Sequence, residues 1–171
     1  MNREAHLTRI MDDYTELLFR VAYYYIKDLH TAEDIVQDVF IKFYHQSGYE
    51  ERGELKAYLI RITINKCKDY LKSWTYRKIS LQQKIFPKQE MLDRNELLQK
   101  DEEALIGDAI LRLPLKQREP IMYFYLEGMS IKEVANLLNI PENTVKSRLK
   151  KGRELLKLDL QHIQWEVLLN D

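Results

Sequence analysis

The chain has 171 residues, 45% of them hydrophobic and 32% charged, with five glycines, four prolines and one cysteine. At roughly 100 to 200 residues per domain this is one ordinary domain or two small ones, which excludes large multi-layer enzyme folds. So few glycines and prolines in so charged a chain also exclude collagen-like, low-complexity and disulfide-stapled proteins, and point to a helix-rich globular fold.

The 27 basic and 27 acidic side chains cancel, but unevenly along the chain. Residues 61–100 carry ten basic groups against four acidic, whereas residues 1–60 carry seven against eleven. Such a mosaic suits a protein that meets a polyanion with one surface and a cationic partner with another. Cys67 has no second cysteine to pair with, and no N-terminal stretch joins a basic start to an apolar core, so a cytoplasmic protein is expected. The longest mostly apolar stretches, 17–26 and 121–126, fall far short of the roughly 20 residues that span a bilayer. No membrane insertion is expected.

Taken in chain order, apolar residues recur at helical spacing over residues 3–28, 31–46 and 54–78, with breaks at Asp28-Leu29-His30 and over the polar, glycine-bearing stretch 47–53. The pattern weakens over residues 80–103, where Gln82-Gln83 and Phe86-Pro87-Lys88-Gln89 carry no sustained apolar stripe. The expectation is an all-α protein of two small helical domains, 1–79 and 104–160, joined by a flexible linker over 80–103 and followed by a tail, 161–171. Each domain is near the lower size limit for an independent core, so neither has room for a deep substrate cavity.

In the first domain, Ile35, Val36, Val39, Phe40 and Phe43 share one helix face and leave Glu33, Asp34, Gln37 and Asp38 on the other. An acidic, amide-bearing face invites a basic partner surface. The stretch 61–84 has Arg61, Lys66, Lys68, Lys72, Arg77, Lys78 and Lys84 against Asp69 alone, interleaved with Tyr70, Trp74 and Tyr76. A basic track with aromatic and amide groups is what holding unpaired nucleic acid requires. A plain core role competes for Tyr58 and Tyr70, which share helical faces with apolar neighbours.

The second domain is the more specific. Ser130 with Glu133 three residues on forms a capping box after Gly128, and Asn139-Ile140-Pro141 ends the helix within about two turns. A short helix, a turn and a second helix is the DNA-binding arrangement whose second helix enters the major groove. Ala135 supplies a small side chain where the two helices would cross. At about 100° per residue, Val145, Leu149, Gly152 and Leu156 fall in one narrow stripe of the second helix. Opposite lie Asn143, Ser147, Lys150 and Lys151, flanked by Lys146 and Arg148, a short basic face suited to base edges and phosphates.

With Leu113-Pro114-Leu115-Lys116-Gln117-Arg118-Glu119-Pro120 ahead of it, this segment resembles region 4 of bacterial sigma factors. Residues 31–40, Thr-Ala-Glu-Asp-Ile-Val-Gln-Asp-Val-Phe, and the run 57–65 followed by Asp69-Tyr70-Leu71 resemble region 2. The short chain is similar to the extracytoplasmic-function group of the sigma-70 family. That resemblance implies a specificity subunit without catalytic chemistry of its own that brings core RNA polymerase to promoters in a stress or envelope response. It implies binding of core polymerase through Glu33, Asp34, Gln37 and Asp38. Single-stranded −10 DNA would be held by Tyr49, Arg61, Asn65, Lys66, Lys68 and Lys72, with Tyr49 and Asn65 at a pocket for a base turned out of the stack. Duplex −35 DNA would meet Lys146, Ser147, Lys150 and Lys151 at its bases and Thr144, Arg148 and Arg153 at its phosphates. The resemblance further implies an anti-sigma factor as inhibitory partner. Tyr58 departs from the tryptophan often found there in the family.

Two other classes are weighed against this. A stand-alone helix-turn-helix repressor would bind its operator unaided, usually as a dimer on symmetric half-sites. An enzyme is disfavoured: the sequence has no glycine-rich phosphate loop, nucleophile elbow or His-Glu metal pair, and His6, His30, His45 and His162 are scattered. No cofactor or metal is expected, and Cys67 reads as a semi-buried inert thiol.

Overall fold

The computed structural model describes residues 3–46, 53–81 and 102–161, and divides the chain into two compact units, Met1–Pro87 and Lys88–Asp171. Every regular element among the described residues is helical.

The first unit holds α1 (Arg3–Ile26), α2 (Leu29–His45) and α3 (Leu55–Leu81), each packed on the other two. Leu18, Val21 and Ala22 of α1, Ala32 and Val39 of α2, and Leu59, Ile60 and Cys67 of α3 are fully enclosed. Burial of a Leu- or Val-sized side chain contributes about 1.5–3 kcal/mol, so these shared stripes hold the bundle together. Thr63, a polar member of this core, keeps its hydroxyl satisfied by donating to the Leu59 carbonyl at 2.9 Å.

The α1–α2 connection is tighter than the sequence pattern implies. Residues 28–30 were expected as a break, but α2 already begins at Leu29 because Asp28 serves as its N-cap. The Asp28 carboxylate accepts from the Thr31 N–H at 2.9 Å and from the Thr31 hydroxyl at 2.6 Å. These two bonds, the hydroxyl's first, hold its carboxyl below the usual carboxylate range. Lys27 ends α1 in the left-handed region, φ +63°, with its N–H bonded to the Tyr23 carbonyl at 2.7 Å.

The second unit holds α4 (Glu102–Arg112), α5 (Leu115–Ile121), α6 (Ile131–Leu138) and α7 (Glu142–Asp159). Glu102 and Glu103, assigned to the linker from sequence, belong to the first turn of α4. Pro120 lies inside α5, and the helix passes directly into a π-helical turn, Met122–Leu126. Proline cannot supply the N–H of a regular i to i−4 ladder, and π-turns insert one extra residue where that ladder is disturbed. Met122 and Tyr123 are thereby both buried. Gly128, φ +65°, takes the left-handed conformation between this turn and α6.

Candidate nucleic-acid interface

The α6–turn–α7 unit is built by local chemistry. The Ser130 hydroxyl accepts from the Glu133 N–H at 3.2 Å, and the Glu133 carboxylate accepts from the Ser130 N–H at 2.8 Å, so the capping box is complete. Asn139, φ +53°, closes α6, and the Ile140 N–H donates to the Ala135 carbonyl at 3.1 Å. Pro141 then stands at the N-cap of α7 with extended backbone. An eight-residue helix is thus joined to an 18-residue one through a three-residue turn.

Val145, Leu149, Gly152 and Leu156 form the buried stripe of α7. Gly152 permits a close approach: a Cβ there would lie 2.8 Å from Ile121 Cγ1 and 3.6 Å from Gln117 Cβ. α7 is thus seated on α5 at a position where a side chain would intrude. Ala135, expected at the close crossing, is buried on α6.

Opposite that stripe, Asn143, Lys146, Ser147, Lys150 and Lys151 are exposed, while Thr144, Arg148 and Arg153 are half-buried. Several of these groups have partners in the free chain. The Ser147 hydroxyl donates to the Thr144 carbonyl at 3.0 Å, which leaves its oxygen able to accept. Lys151 Nζ stands 3.7 Å from the Glu154 carboxylate. Arg153 Nη1 donates to the Tyr125 hydroxyl at 3.1 Å, which ties α7 to the π-helical turn. Lys146 and Lys150 extend from the exposed side of the same face.

In the first unit, Glu33, Asp34, Gln37 and Asp38 are all exposed along α2, backed by buried Ile35, Val36, Val39, Phe40 and Phe43. On α3, Arg61, Asn65, Lys68 and Lys72 follow at helical spacing down one stripe. Arg61, Asn65 and Lys72 are exposed and Lys68 is half-buried. Lys66 falls off this stripe: its Nζ lies 3.3 Å from Asp38 Oδ2. Two residues expected on different binding surfaces therefore meet as an ion pair between α2 and α3.

By helical spacing Tyr70 and Trp74 share a face with Lys66 and Arg77 and not with the Arg61–Lys72 cations. Tyr70 and Trp74 lie about half a helical turn away from the Arg61–Lys72 stripe. They prolong the buried face, and both are exposed, so the core role weighed for Tyr70 does not hold. Tyr58 is half-buried with its ring 6.4 Å from that of Phe43. Tyr49 and Lys84 lie outside the described residues, as do the side chains of Tyr76 and Lys78.

Some contacts carried no sequence signal. The Arg112 guanidinium holds one carboxylate oxygen of Asp159 through Nε and Nη2, both at 2.8 Å, joining α4 to the end of α7. Buried Arg118 donates from Nε and Nη2 to the Leu113 carbonyl at 3.2 and 2.8 Å, fixing the α4–α5 corner. Cys67 is fully enclosed, and burial pushes its thiol up to about 12, so the basic helix around it does not activate it. Among the described residues there is no cluster of metal-binding side chains, and no helix is long and apolar enough to cross a membrane.

Comparison with known proteins agrees with this anatomy. Residues 10–75 match sigma-70 region 2 and residues 103–156 match sigma-70 region 4. The ECF RNA polymerase sigma factor SigL of Mycobacterium tuberculosis is 31% identical over 166 residues, covering 94% of this chain and 92% of that protein. This chain belongs to the ECF RNA polymerase sigma factors of the sigma-70 family. The ECF sigma factor SigW of Bacillus subtilis is 28% identical over 166 residues, covering 90% of this chain and 88% of that one. Among solved structures, the sigma factor RpoE in complex with the anti-sigma factor NepR, from Bartonella quintana, shares the fold at a TM-score of 0.66 and 24% identity, covering 92% of this chain and 98% of that chain. CnrH in complex with the cytosolic domain of CnrY shares it at 0.63 and 21%, covering 94% and 91%. As an ECF sigma factor, the chain has α1–α3 within its region 2 unit and α4–α7 within its region 4 unit.

Proposed function

We propose that this sigma factor directs core RNA polymerase to promoters by gripping two separate stretches of DNA, one melted and one paired. The exposed α2 face of Glu33, Asp34, Gln37 and Asp38 docks on a basic surface of core polymerase. The −10 element is held as a single strand by Arg61, Asn65, Lys68 and Lys72 of α3, together with Lys66 from outside that stripe and Tyr49 in the α2–α3 connection. Lysine and arginine neutralise phosphates there, and the Asn65 amide offers a donor and an acceptor to an unpaired base edge.

The −35 element is read as duplex by α7 in the major groove. Lys146, Ser147, Lys150 and Lys151 face base edges, and Thr144, Arg148 and Arg153 hold phosphates. Lysine is a flexible point donor, so this face favours guanine acceptors less sharply than an arginine pair would. An anti-sigma factor is the expected inhibitor, since the sigma factor RpoE above was solved with one, and the setting is a stress or envelope response.

The observation that carries this reading is the capped α6–turn–α7 unit, with its buried stripe on one side and an exposed basic face on the other. Run-off transcription over a genomic template library tests it. New transcripts are expected only when the chain and core polymerase are both present. A symmetric footprint by the chain alone, with no new transcripts, would instead indicate an operator-binding repressor.

A further inference from the structure

The last residue before the α2–α3 connection and the first turn of α3 are joined by a side-chain bond that no local periodicity requires. The Tyr58 hydroxyl donates to the Gln46 side-chain carbonyl. Gln46 is the C-cap of α2, its own N–H bonded to the carbonyls of Lys42 at 3.1 Å and Phe43 at 3.3 Å. Tyr58 opens the ladder of α3, its N–H donating to the Glu54 carbonyl at 2.9 Å. Its ring leans on Phe43 at 6.4 Å, so the hydroxyl is aimed by packing and the amide by a helix cap. Neither end of the bond rests on a loop.

Tyr58 also shares a helix face with the basic stripe. Arg61 follows it by three residues and Asn65 by seven, spacings that return to one side of a helix. The bond therefore fixes the α2 C-terminus relative to the face of α3 that carries Arg61 and Asn65, and it does so across the connection that holds Tyr49. Phenylalanine at position 58 would keep the ring contact with Phe43 and lose this register; only a hydroxyl reaches the amide.

We infer that Tyr58, through Gln46, is a positioning residue for the single-strand site on α3, setting the geometry in which Asn65 and Arg61 meet the melted strand. This rests on the −10 assignment made above. A neutral hydrogen bond contributes about 0.5–1.5 kcal/mol net, which corresponds to a two- to tenfold effect on whatever equilibrium depends on it. That effect should appear in promoter opening and not in core binding, because Glu33, Asp34, Gln37 and Asp38 lie elsewhere on α2.

The test uses full-length chain assembled with core polymerase on a promoter obtained from the run-off library, and reads the lifetime of competitor-resistant open complexes. Tyr58→Phe and Gln46→Leu should each shorten that lifetime two- to tenfold, and the double variant should be no worse than the poorer single one. Core affinity should stay at the native value, and the thermal midpoint of the free chain should fall by the same small amount in the two single variants, as loss of one shared hydrogen bond requires. Unchanged lifetimes, multiplying effects in the double variant, or a loss of core affinity that accounts for the shortened lifetime would each overturn the inference. Asn65→Ala, measured alongside, separates the two levels. If it shortens the lifetime while Tyr58→Phe does not, only the positioning role is wrong; if it too has no effect, the −10 assignment has failed and takes this inference with it.

Discussion

Lys66 and Asp38 face each other at 3.3 Å, Nζ to Oδ2, across the seam between α2 and α3. The lysine side chain is 29% exposed and the carboxylate 63%, so solvent screens the pair and its contribution is at most about 0.2–1 kcal/mol. A double-mutant cycle with Asp38→Asn and Lys66→Met, followed by thermal unfolding, should give a coupling in that range at low salt that disappears near molar salt. Simple additivity at low salt would show that the pair does not persist in solution. Asp38→Asn should also weaken core-polymerase binding and Lys66→Met should not, because only the aspartate belongs to the exposed acidic face.

On α7 the two adjacent lysines differ in their starting states. Each phosphate-neutralising charge adds about 0.9 to the slope of log affinity against log salt. Lys150 faces base edges, yet its charge also enters the groove between the phosphates, so Lys150→Ala should lower the slope for −35 duplex binding by up to that amount. Lys151 begins 3.7 Å from Glu154, so part of its charge is already compensated and its removal should lower the slope by less. Binding titrations from low to moderate salt check both values, and an unchanged slope for Lys150→Ala would take that residue out of the interface.

What the sequence made legible was whatever repeats along one helix or closes within a few residues. The α2 acidic face, the Ser130–Glu133 capping box and the Val145–Leu156 stripe are all of this kind, and each stands in the structure as periodicity implies. What stayed hidden depends on a partner distant in the chain. Nothing around Lys66 signals Asp38, 28 residues earlier. Nothing around Arg112 signals Asp159, 47 residues later. The π-helical turn after Pro120 escaped because an inserted residue has no pattern of its own. Tyr70 was weighed as core because its face is apolar by spacing, yet α3 carries that face to where the side chain is exposed.

Cys67 gives a pH-dependent prediction. Its folded-state pKa, raised by burial from 9.0 to about 12, favours the neutral thiol in the folded chain. The stability this contributes is fully present below pH 9 and is lost as pH rises from there toward 12. Reactivity is the cleaner readout. Alkylation by iodoacetamide at pH 8 should be slow in the native protein and fast in urea, since the thiolate is the nucleophile. Fast labelling of the native chain would mean that the α3 core opens readily around this side chain.

Gly152→Ala should weaken the seating of α7. The added methyl would lie 2.8 Å from Ile121 Cγ1 and 3.1 Å from its Cδ1, inside a core that includes buried Met122 and Tyr123. Overpacking of this kind costs about 1–3 kcal/mol, against a gain of about 1 kcal/mol in helix propensity from replacing glycine. The net expectation is a small loss of stability, measured by denaturant unfolding, together with weaker −35 binding as the helix is displaced. Ile121→Ala removes the clashing atoms, so the double variant should lose less stability than the two single losses added together. Strict additivity would place the strain somewhere other than this contact.

Lys27 offers the reverse case, a site where stability can be gained. It holds φ +63° between two helices joined by only two residues, a conformation in which a side chain crowds its own backbone. Glycine adopts it freely and is the usual residue one position past a helix end. Lys27→Gly should therefore stabilise the first unit by up to about 1 kcal/mol, the relief of strain exceeding the added freedom of the unfolded chain. Asp28→Ala should act in the opposite direction by removing the N-cap of α2, and should lower the thermal midpoint at neutral pH. Because the Asp28 pKa is depressed in the folded state, its contribution is present above the normal carboxylate range and fades as pH falls through the depressed value. The midpoints of the native chain and Asp28→Ala should then converge in acid, and a gap of constant size down to the lowest pH at which the chain stays folded would show that the carboxylate is not the capping group.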